Sequence, residues 1–455
     1  MPVGLSKSMP TAKINLTLKR VSIQAPSILI DVSATGFARA EETERIQSMQ
    51  KKTGLWLLGA RGSVASTVCI GLAALQKADN AENPALSAGL VSQLPEFQSL
   101  NLLDWVDVVV GGYEIRDVSL ADEARQFASS SRSIDMVLLD QVSDSLKQMD
   151  QNILPGVLAN SGERIDSLAS KNYASTGNPI EQIERVRNDL TAFREQHDLE
   201  RVIVVNVAST EPSVDMNGWP DSWSEFETRL KADEIKLPSS SIYAVAAFQA
   251  GCSFANFTPS LGSNFPAAQD LAIQNNVCHA GQDGKTGETL CKAAIAPMFA
   301  HRNLQVMSWV GHNIFGNMDA RVLDDPANKQ SKVESKDNLL GQILGYNPQT
   351  LVSIENIESI GDWKTAWDHI HFRGFLCAPM VMQFTWQGCD SILAAPLVLD
   401  LFRFVERAHR AGQSGILESL ACFFKSPMQS TDSNISEVFS LQFQDLQNWA
   451  KSLAT

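Results

Sequence analysis

Several short segments carry residues whose chemistry stands out. Lys332 and Lys336 are four residues apart, and on a helix that spacing puts both ammonium groups on one face, where they repel unless an anion lies between them. The pair therefore reads either as a solvated face or as half of an anion site. Upstream, Gly281-Gln-Asp283-Gly-Lys-Thr286-Gly287 is a compact loop with a carboxylate, a hydroxyl and flanking glycines. Such a loop can hold a polar ligand or simply cap a helix. Further polar segments are Gly311-His-Asn313-Ile-Phe-Gly316-Asn317-Met-Asp319, Gly361-Asp362-Trp-Lys364, Cys389-Asp390-Ser-Ile and Phe424-Lys425-Ser-Pro427. His369 and His371 would share one face of a strand, but no carboxylate or cysteine at recognisable spacing completes a ligand set. No metal is expected, and neither a GxSxG elbow nor a Walker loop is present.

A second group of segments suits a nucleotide. Leu55-Trp-Leu-Leu-Gly59-Ala60-Arg61-Gly62-Ser63-Val-Ala65 reads as a buried strand, a glycine turn and a helix start, where backbone N–H groups and a helix N-terminus can face a pyrophosphate. The spacing is Gly-x-x-Gly-x-x-Ala rather than GxGxxG, and a tight turn without a ligand has the same letters. Val-Val-Val-Gly-Gly-Tyr-Glu114 places a carboxylate beyond a strand end, where it can accept from a ribose diol or stand as a solvated loop residue. In the first case a 2′-phosphate would be repelled, so NAD is expected over NADP. Asn206-Val-Ala208-Ser209-Thr210-Glu211 again ends an apolar strand in small residues, permitting close approach of a nicotinamide nucleotide, although turn chemistry alone would also select them.

These segments need a frame. Apolar runs at Leu55–Leu58, Val106–Val110, Met136–Leu139, Val202–Val207 and Ile242–Ala247 alternate with helical stretches at 63–77, 119–130 and 179–197. That alternation predicts an α/β fold with a doubly wound parallel sheet. Residues 1–50 read as an N-terminal arm. From about Gly287 the texture changes, and a second domain is expected until about Ser391, after which helices at 392–407 and 416–424 return to the first. The net charge of -14 argues against nucleic acid or an anionic membrane as partner. No apolar run is long and clean enough to span a bilayer: the longest uncharged stretch, 237–269, is broken by Ser, Asn, Gln and prolines. Seven scattered cysteines without a CxxC pair suit a reducing compartment, and no secretory signal is read, so a cytoplasmic location is expected.

In their order and spacing these segments resemble the myo-inositol-1-phosphate synthase family, also called inositol-3-phosphate synthases, over nearly all of the chain beyond residue 50. The family's GGWDI is similar to Gly111-Gly-Tyr-Glu-Ile115, its WTANTE to Asn206–Glu211, and its GDDxKSGQT to Gly281–Thr289. YNHLGNNDG resembles the segment His312–Ala320, FRSKEISK the segment Lys329–Lys336, GDSK the segment Gly361–Lys364, and EDSLLAAP the segment Cys389–Pro396. Departures are the loss of two amides and a glycine from GxGGNNG at Gly59–Ala65, and Glu114, Gln282, Met318 and Gln330 in place of an aspartate, an acid, an asparagine and an arginine.

The resemblance implies a Rossmann-like domain at 51–289 completed by 394–455, with an inserted α+β catalytic and oligomerisation domain at 290–393. It implies NAD as cofactor and a sugar phosphate as substrate. It also implies the conversion of D-glucose 6-phosphate to 1D-myo-inositol 3-phosphate by oxidation, enolisation, aldol closure and reduction, in a homotetramer. Catalytic roles fall on Lys332, Lys336, Lys364, Lys425, Asp283, Asn313, Asp362 and Asp390. Cofactor contacts fall on Gly59, Ala60, Arg61, Gly62, Ser63, Glu114, Ala208, Ser209, Thr210, Asp283, Thr286, Asn317 and Asp319. The alternatives are a related sugar-phosphate cyclase or an NAD-dependent dehydrogenase on another sugar phosphate, and thirdly a non-enzymatic NAD-binding protein.

Overall fold

The structure is a computed structural model that describes residues 52–77, 84–317, 339–431 and 433–454. The expected N-terminal arm at 1–50, together with Asp319, Lys332 and Lys336, lies outside the described residues.

The first strand, β1 (Thr53–Leu58), is buried along its whole length. Alternate side chains enter opposite layers: Leu55 and Leu57 join one core cluster, Trp56 and Leu58 the other. That two-sided burial explains the unbroken apolar run. It requires β1 to be central, and β1 pairs in parallel with both β2 (Val108–Glu114) and β4 (Arg201–Asn206). With β3 (Ile153–Pro155), β5 (Ser253–Asn256), β6 (Cys278–Gly281) and β11 (Gly415–Ile416), the parallel sheet has the order β11-β6-β5-β4-β1-β2-β3. The strand order reverses direction between β1 and β4, the place where a doubly wound sheet opens a crevice for ligands. Helices α1 (Ser63–Leu75), α2 (Leu120–Ser131) and α3 (Met136–Asp150) cover one face. Helices α4 (Pro179–Gln196), α5 (Trp223–Lys231), α6 (Ser239–Gln249) and α7 (Pro266–Gln274) cover the other.

After α8 (Glu288–His301) come β7 (Gln305–Phe315), β8 (Gln349–Asn356), β9 (Trp363–Arg373) and β10 (Pro379–Cys389). They form a mixed sheet in the order β10-β9-β7-β8, with only β7 and β8 parallel. Its inner face packs on α8 through Phe299, Trp309, Ile370 and Phe372. Helix α9 (Asp390–Arg410) starts where β10 ends and carries the chain back to the parallel sheet, burying Val398, Leu401, Phe402 and Phe404 beside α1 residues. The last helix is α10 (Phe439–Leu453). No helix among the described residues is long and apolar enough to cross a membrane.

Two expected strands are helices. Met136–Leu139 begins α3, because Asp135 accepts a hydrogen bond from Val137 N at 2.8 Å and caps it. Ile242–Ala247 lies inside α6, which is buried all round, and an apolar run so enclosed does not reveal its period. The run at 106–110 enters β2 only from Val108, after a short 3-10 turn, and 416–424 forms the end of β11 and a 3-10 segment. Strands β5 and β6 escaped notice because they are only four residues long and Ser253, Asn256 and His279 interrupt their apolar character.

Gly111 and Gly112 follow from packing. A β-carbon on Gly111 would lie 2.6 Å from the Trp56 ring, and one on Gly112 would lie 2.3 Å from Leu57 O and 2.6 Å from Ala60 Cβ. The second glycine thus lets β2 lie against the turn after β1. Gly112→Ala is expected to destabilise the protein by about 2 kcal/mol or more through overpacking, seen as a lower urea midpoint. An unchanged midpoint would show that this contact is not tight.

Candidate active site

The turn from β1 into α1 is built by backbone bonds. Gly59 N and Ala60 N both donate to Tyr113 O at 2.9 Å, and Gly62 N donates to Gly59 O at 2.9 Å. Gly59 has φ +75, and a β-carbon there would lie 2.8 Å from Ala208 Cα, so the turn and the end of β4 touch only because this residue is glycine. No side chain caps α1, which leaves its first N–H groups for an anion. Gly59, Arg61, Gly62, Ser63, Glu114, Ala208 and Ser209 line a cavity of about 300 Å³ at the carboxyl edge of β1, β2 and β4. Ala60 turns its methyl into the core, and Thr210 is half-buried outside the lining.

At the β2 end of this cavity Glu114 is buried and fully engaged. Its Oε2 accepts from Arg61 N at 3.0 Å and Arg116 Nη2 at 3.1 Å, and its Oε1 accepts from Ile115 N at 2.8 Å, Arg116 N at 3.2 Å and Arg116 Nε at 3.3 Å. The Arg61 guanidinium leaves the turn to pair with Asp150 at 2.7 Å and to meet the Tyr173 hydroxyl at 2.9 Å. Glu114 therefore shapes the turn, with N–H donors on both of its oxygens.

The same cavity reaches Asn317, Asp390 and Ser391. These belong to a cluster centred on buried Asp362, at the start of β9. Asp362 Oδ1 accepts from Asn317 Nδ2 at 3.0 Å and Ser391 Oγ at 3.1 Å, Oδ2 accepts from Ser391 N at 2.7 Å, and Asp390 N donates to Asp362 O at 3.0 Å. Burial raises the Asp362 pKa, and nearby Asp390 adds to that effect against the hydrogen bonds that lower it. Lys364, two residues on, is half-buried with its ammonium 5.1 Å from the Phe315 ring centre. Asn313, on β7, is wholly buried; its Oδ1 has no hydrogen-bond partner among the described residues.

Lys425 and Asp283 form an ion pair at 2.8 Å, and Lys425 N donates to Asp283 O. Asp283 has φ +64 on the loop after β6. Half-buried Thr286 follows on the same loop, and a β-carbon on Gly287 would lie 2.7 Å from the Trp386 ring of β10, so the loop abuts the mixed sheet. Asp283, Thr286 and Lys425 do not line the cavity. Lys285, between them, is buried with its ammonium on Gln442 Oε1 of α10 at 2.7 Å, and burial lowers its pKa to about 8.

Residues 53–451 match the profile of the family described as myo-inositol-1-phosphate synthase, an NAD-binding family. The chain belongs to that family. It is 32% identical over 408 residues to inositol-3-phosphate synthase 1 of Bacteroides thetaiotaomicron, spanning 85% of this chain and 91% of the relative. It is 27% identical over 404 residues to the inositol-3-phosphate synthase of Trypanosoma brucei brucei, spanning 80% of this chain and 74% of the relative. Among solved structures, the inositol-3-phosphate synthase of Caenorhabditis elegans superposes with a TM-score of 0.78 at 25% identity, covering 89% of this chain and 86% of that one.

Seen as a member of the myo-inositol-1-phosphate synthase family, the chain brings the WTANTE-like segment to the cavity with one residue that sequence reasoning passed over. Glu211 lines the cavity, is buried, and accepts from Ser240 N at 3.0 Å and from the Ser240 hydroxyl at the start of α6. Burial pushes its pKa up to about 7, against those hydrogen bonds. Its only signal in the sequence was an acid just beyond a strand end. Arg116 and Trp363 were missed too: Trp363 Nε1 donates to Ser131 O at 2.7 Å, tying β9 to the end of α2.

Unfolded, Glu211 ionises near 4.5; folded, it keeps its proton to about 7. Between these values folding takes up a proton, so this group's contribution to stability is lost as pH rises. Glu211→Gln should therefore gain on the native protein by at most about 1.4 kcal/mol per pH unit across that window. Urea midpoints at pH 5 and 7.5 test this, and a constant difference between the two proteins refutes it.

Proposed function

We propose that the chain is an NAD-dependent isomerase that cyclises D-glucose 6-phosphate to 1D-myo-inositol 3-phosphate, a product in keeping with the names of its relatives, the inositol-3-phosphate synthases. The observation that carries this reading is one continuous cavity joining the Gly59–Ser63 turn to Asn317, Asp390 and Ser391, next to the Asp362–Lys364 turn. A dinucleotide fits the first part, because an uncapped helix N-terminus and a turn closed to anything but glycine face it.

Bound NAD supplies a hydride acceptor for one carbinol of the sugar and later returns the hydride. A C–H beside an alcohol is too weak an acid for any side chain, whereas beside a ketone it can be removed. The chain's own task is to hold phosphate and to stabilise oxygens on which charge develops. Four lysines suit that task, and we assign it to Lys332, Lys336, Lys364 and Lys425, converging on one sugar phosphate. Asp283 fixes the Lys425 ammonium at 2.8 Å, and Asp362 fixes Asn317 and Ser391 at the cavity wall. The sugar ring then lies over the mixed sheet, with the residues about 290–393 as catalytic and oligomerisation domain and the parallel sheet as cofactor domain.

A homotetramer in the cytoplasm completes the proposal. The outer face of the mixed sheet supports self-association, since Leu351, Trp367 and Val381 stand exposed on it. All seven cysteines are unpaired, as a reducing compartment allows.

Three outcomes test the reading. Lys425→Met should lower turnover by on the order of 10²-fold in the protein that remains folded, with a lower urea midpoint because Asp283 loses its partner; a fully active variant removes Lys425 from the mechanism. Incubation of the pure protein with NAD and glucose 6-phosphate should give an inositol monophosphate by NMR. Substrate deuterated at the oxidised carbon should keep its label even with excess unlabelled NADH. Loss of the label, or NADH growing in step with substrate loss, favours an ordinary dehydrogenase.

A further inference from the structure

Glu114 occupies the strand-end position from which a carboxylate reads the adenosine ribose, yet both of its oxygens are filled. Five N–H groups, from Arg61, Ile115 and Arg116, converge on it, and the Arg116 guanidinium lies against its charge. Arg116 has a second carboxylate partner. Its Nη1 donates to Glu123 Oε2 at 2.8 Å, and its Nη2 also donates to Arg61 O at 2.8 Å. Arg116 and Glu123 are each one-quarter exposed, in contrast to Glu114 at 3%. Glu123 Oε1 accepts no hydrogen bond among the described residues.

Glu123 sits in the first turn of α2, behind the Ser119 cap. With Gln126, Phe127 and Ser130 it forms the i, i+3, i+4, i+7 face of α2 that lines the dinucleotide cavity. One cation is thus shared by two carboxylates, which leaves one net negative charge at this end of the cavity. The oxygen with open lone pairs belongs to Glu123.

We propose that Glu123, held in place by Arg116, is the residue that accepts from the adenosine ribose 2′-hydroxyl and excludes a 2′-phosphate. Glu114 instead fixes the turn. This assignment rests on the NAD-binding reading given above and deepens it. A hydroxyl can donate to the free Oε1, while a phosphate would place about two more negative charges beside it and offer no proton. The specificity signal is then displaced from the strand end to the following helix, nine residues along.

Isothermal titration of the full chain with NAD and with NADP tests the assignment without reference to turnover. The native protein should prefer NAD by roughly 10²-fold. Glu123→Gln keeps an acceptor oxygen and removes the charge. It should bind NADP at least about 10-fold more tightly, with NAD affinity changed by no more than about threefold. Glu114→Gln should weaken both nucleotides together, because it loosens the turn that both use. The proposal is overturned if Glu123→Gln leaves the NADP-to-NAD ratio unchanged, if it abolishes NAD binding, or if Glu114→Gln alone shifts the ratio. Failure of the native protein to bind NAD at all would sink the functional reading itself, a result distinct from an unaltered ratio.

Discussion

The carbonyl of Tyr113 holds two N–H groups at once, those of Gly59 and Ala60. This shared acceptor clamps the turn after β1 to the last residues of β2, and the cavity exists because of it. Two small residues make the clamp possible: Gly112, against which Leu57 O and Ala60 pack, and Gly59, which faces Ala208. Once closed, it brings Arg61 N within reach of Glu114 and sends the Arg61 side chain outward to Asp150. The turn that departs from its family's glycine- and asparagine-rich pattern is thus rebuilt with an arginine used for its backbone on one side and its guanidinium on the other. Burial alone would lower the Arg61 pKa, but the hydrogen bonds to half-buried Asp150 and to Tyr173 outweigh it and hold the guanidinium charged.

The two sheets are joined by contacts of a different kind. Asp390 is the first residue of α9 and Asp362 stands at the head of β9, so a single carboxylate, Asp362, gathers the start of a helix, a cavity-lining asparagine and the turn that bears Lys364. Ten residues further along α9, Asp400 accepts from Val91 N at 2.6 Å and Ser92 N at 3.0 Å, and burial raises its pKa to about 6. The helix is consequently fixed at two points, one in the candidate site and one in the scaffold.

Those features that depend on local pattern were legible in the sequence. The strand, turn and helix from Leu55 to Ala65 could be read because burial on both faces and the turn glycines act within a dozen residues. The order of motifs named the family, and the parallel sheet followed from alternating apolar runs. Helix α6 was misread as a strand since its enclosure erases amphipathic period. The position of Glu114 was legible but its state was not: its partners include Arg61, 53 residues away, and only the folded turn brings them together. Glu123 carried no mark at all, because its meaning comes from the cavity that α2 flanks. Lysines 332 and 336 stand outside the described residues, so their place in the site rests on sequence alone.

Lys285 ties the loop of Asp283 to the last helix. Its ammonium is buried on the loop of Asp283 and finds its acceptor in Gln442, 157 residues later. A lysine without that acceptor is costly to desolvate. The loop that presents Asp283 to Lys425 is therefore anchored by α10, so a helix remote in sequence from the turn after β1 fixes one edge of the candidate site.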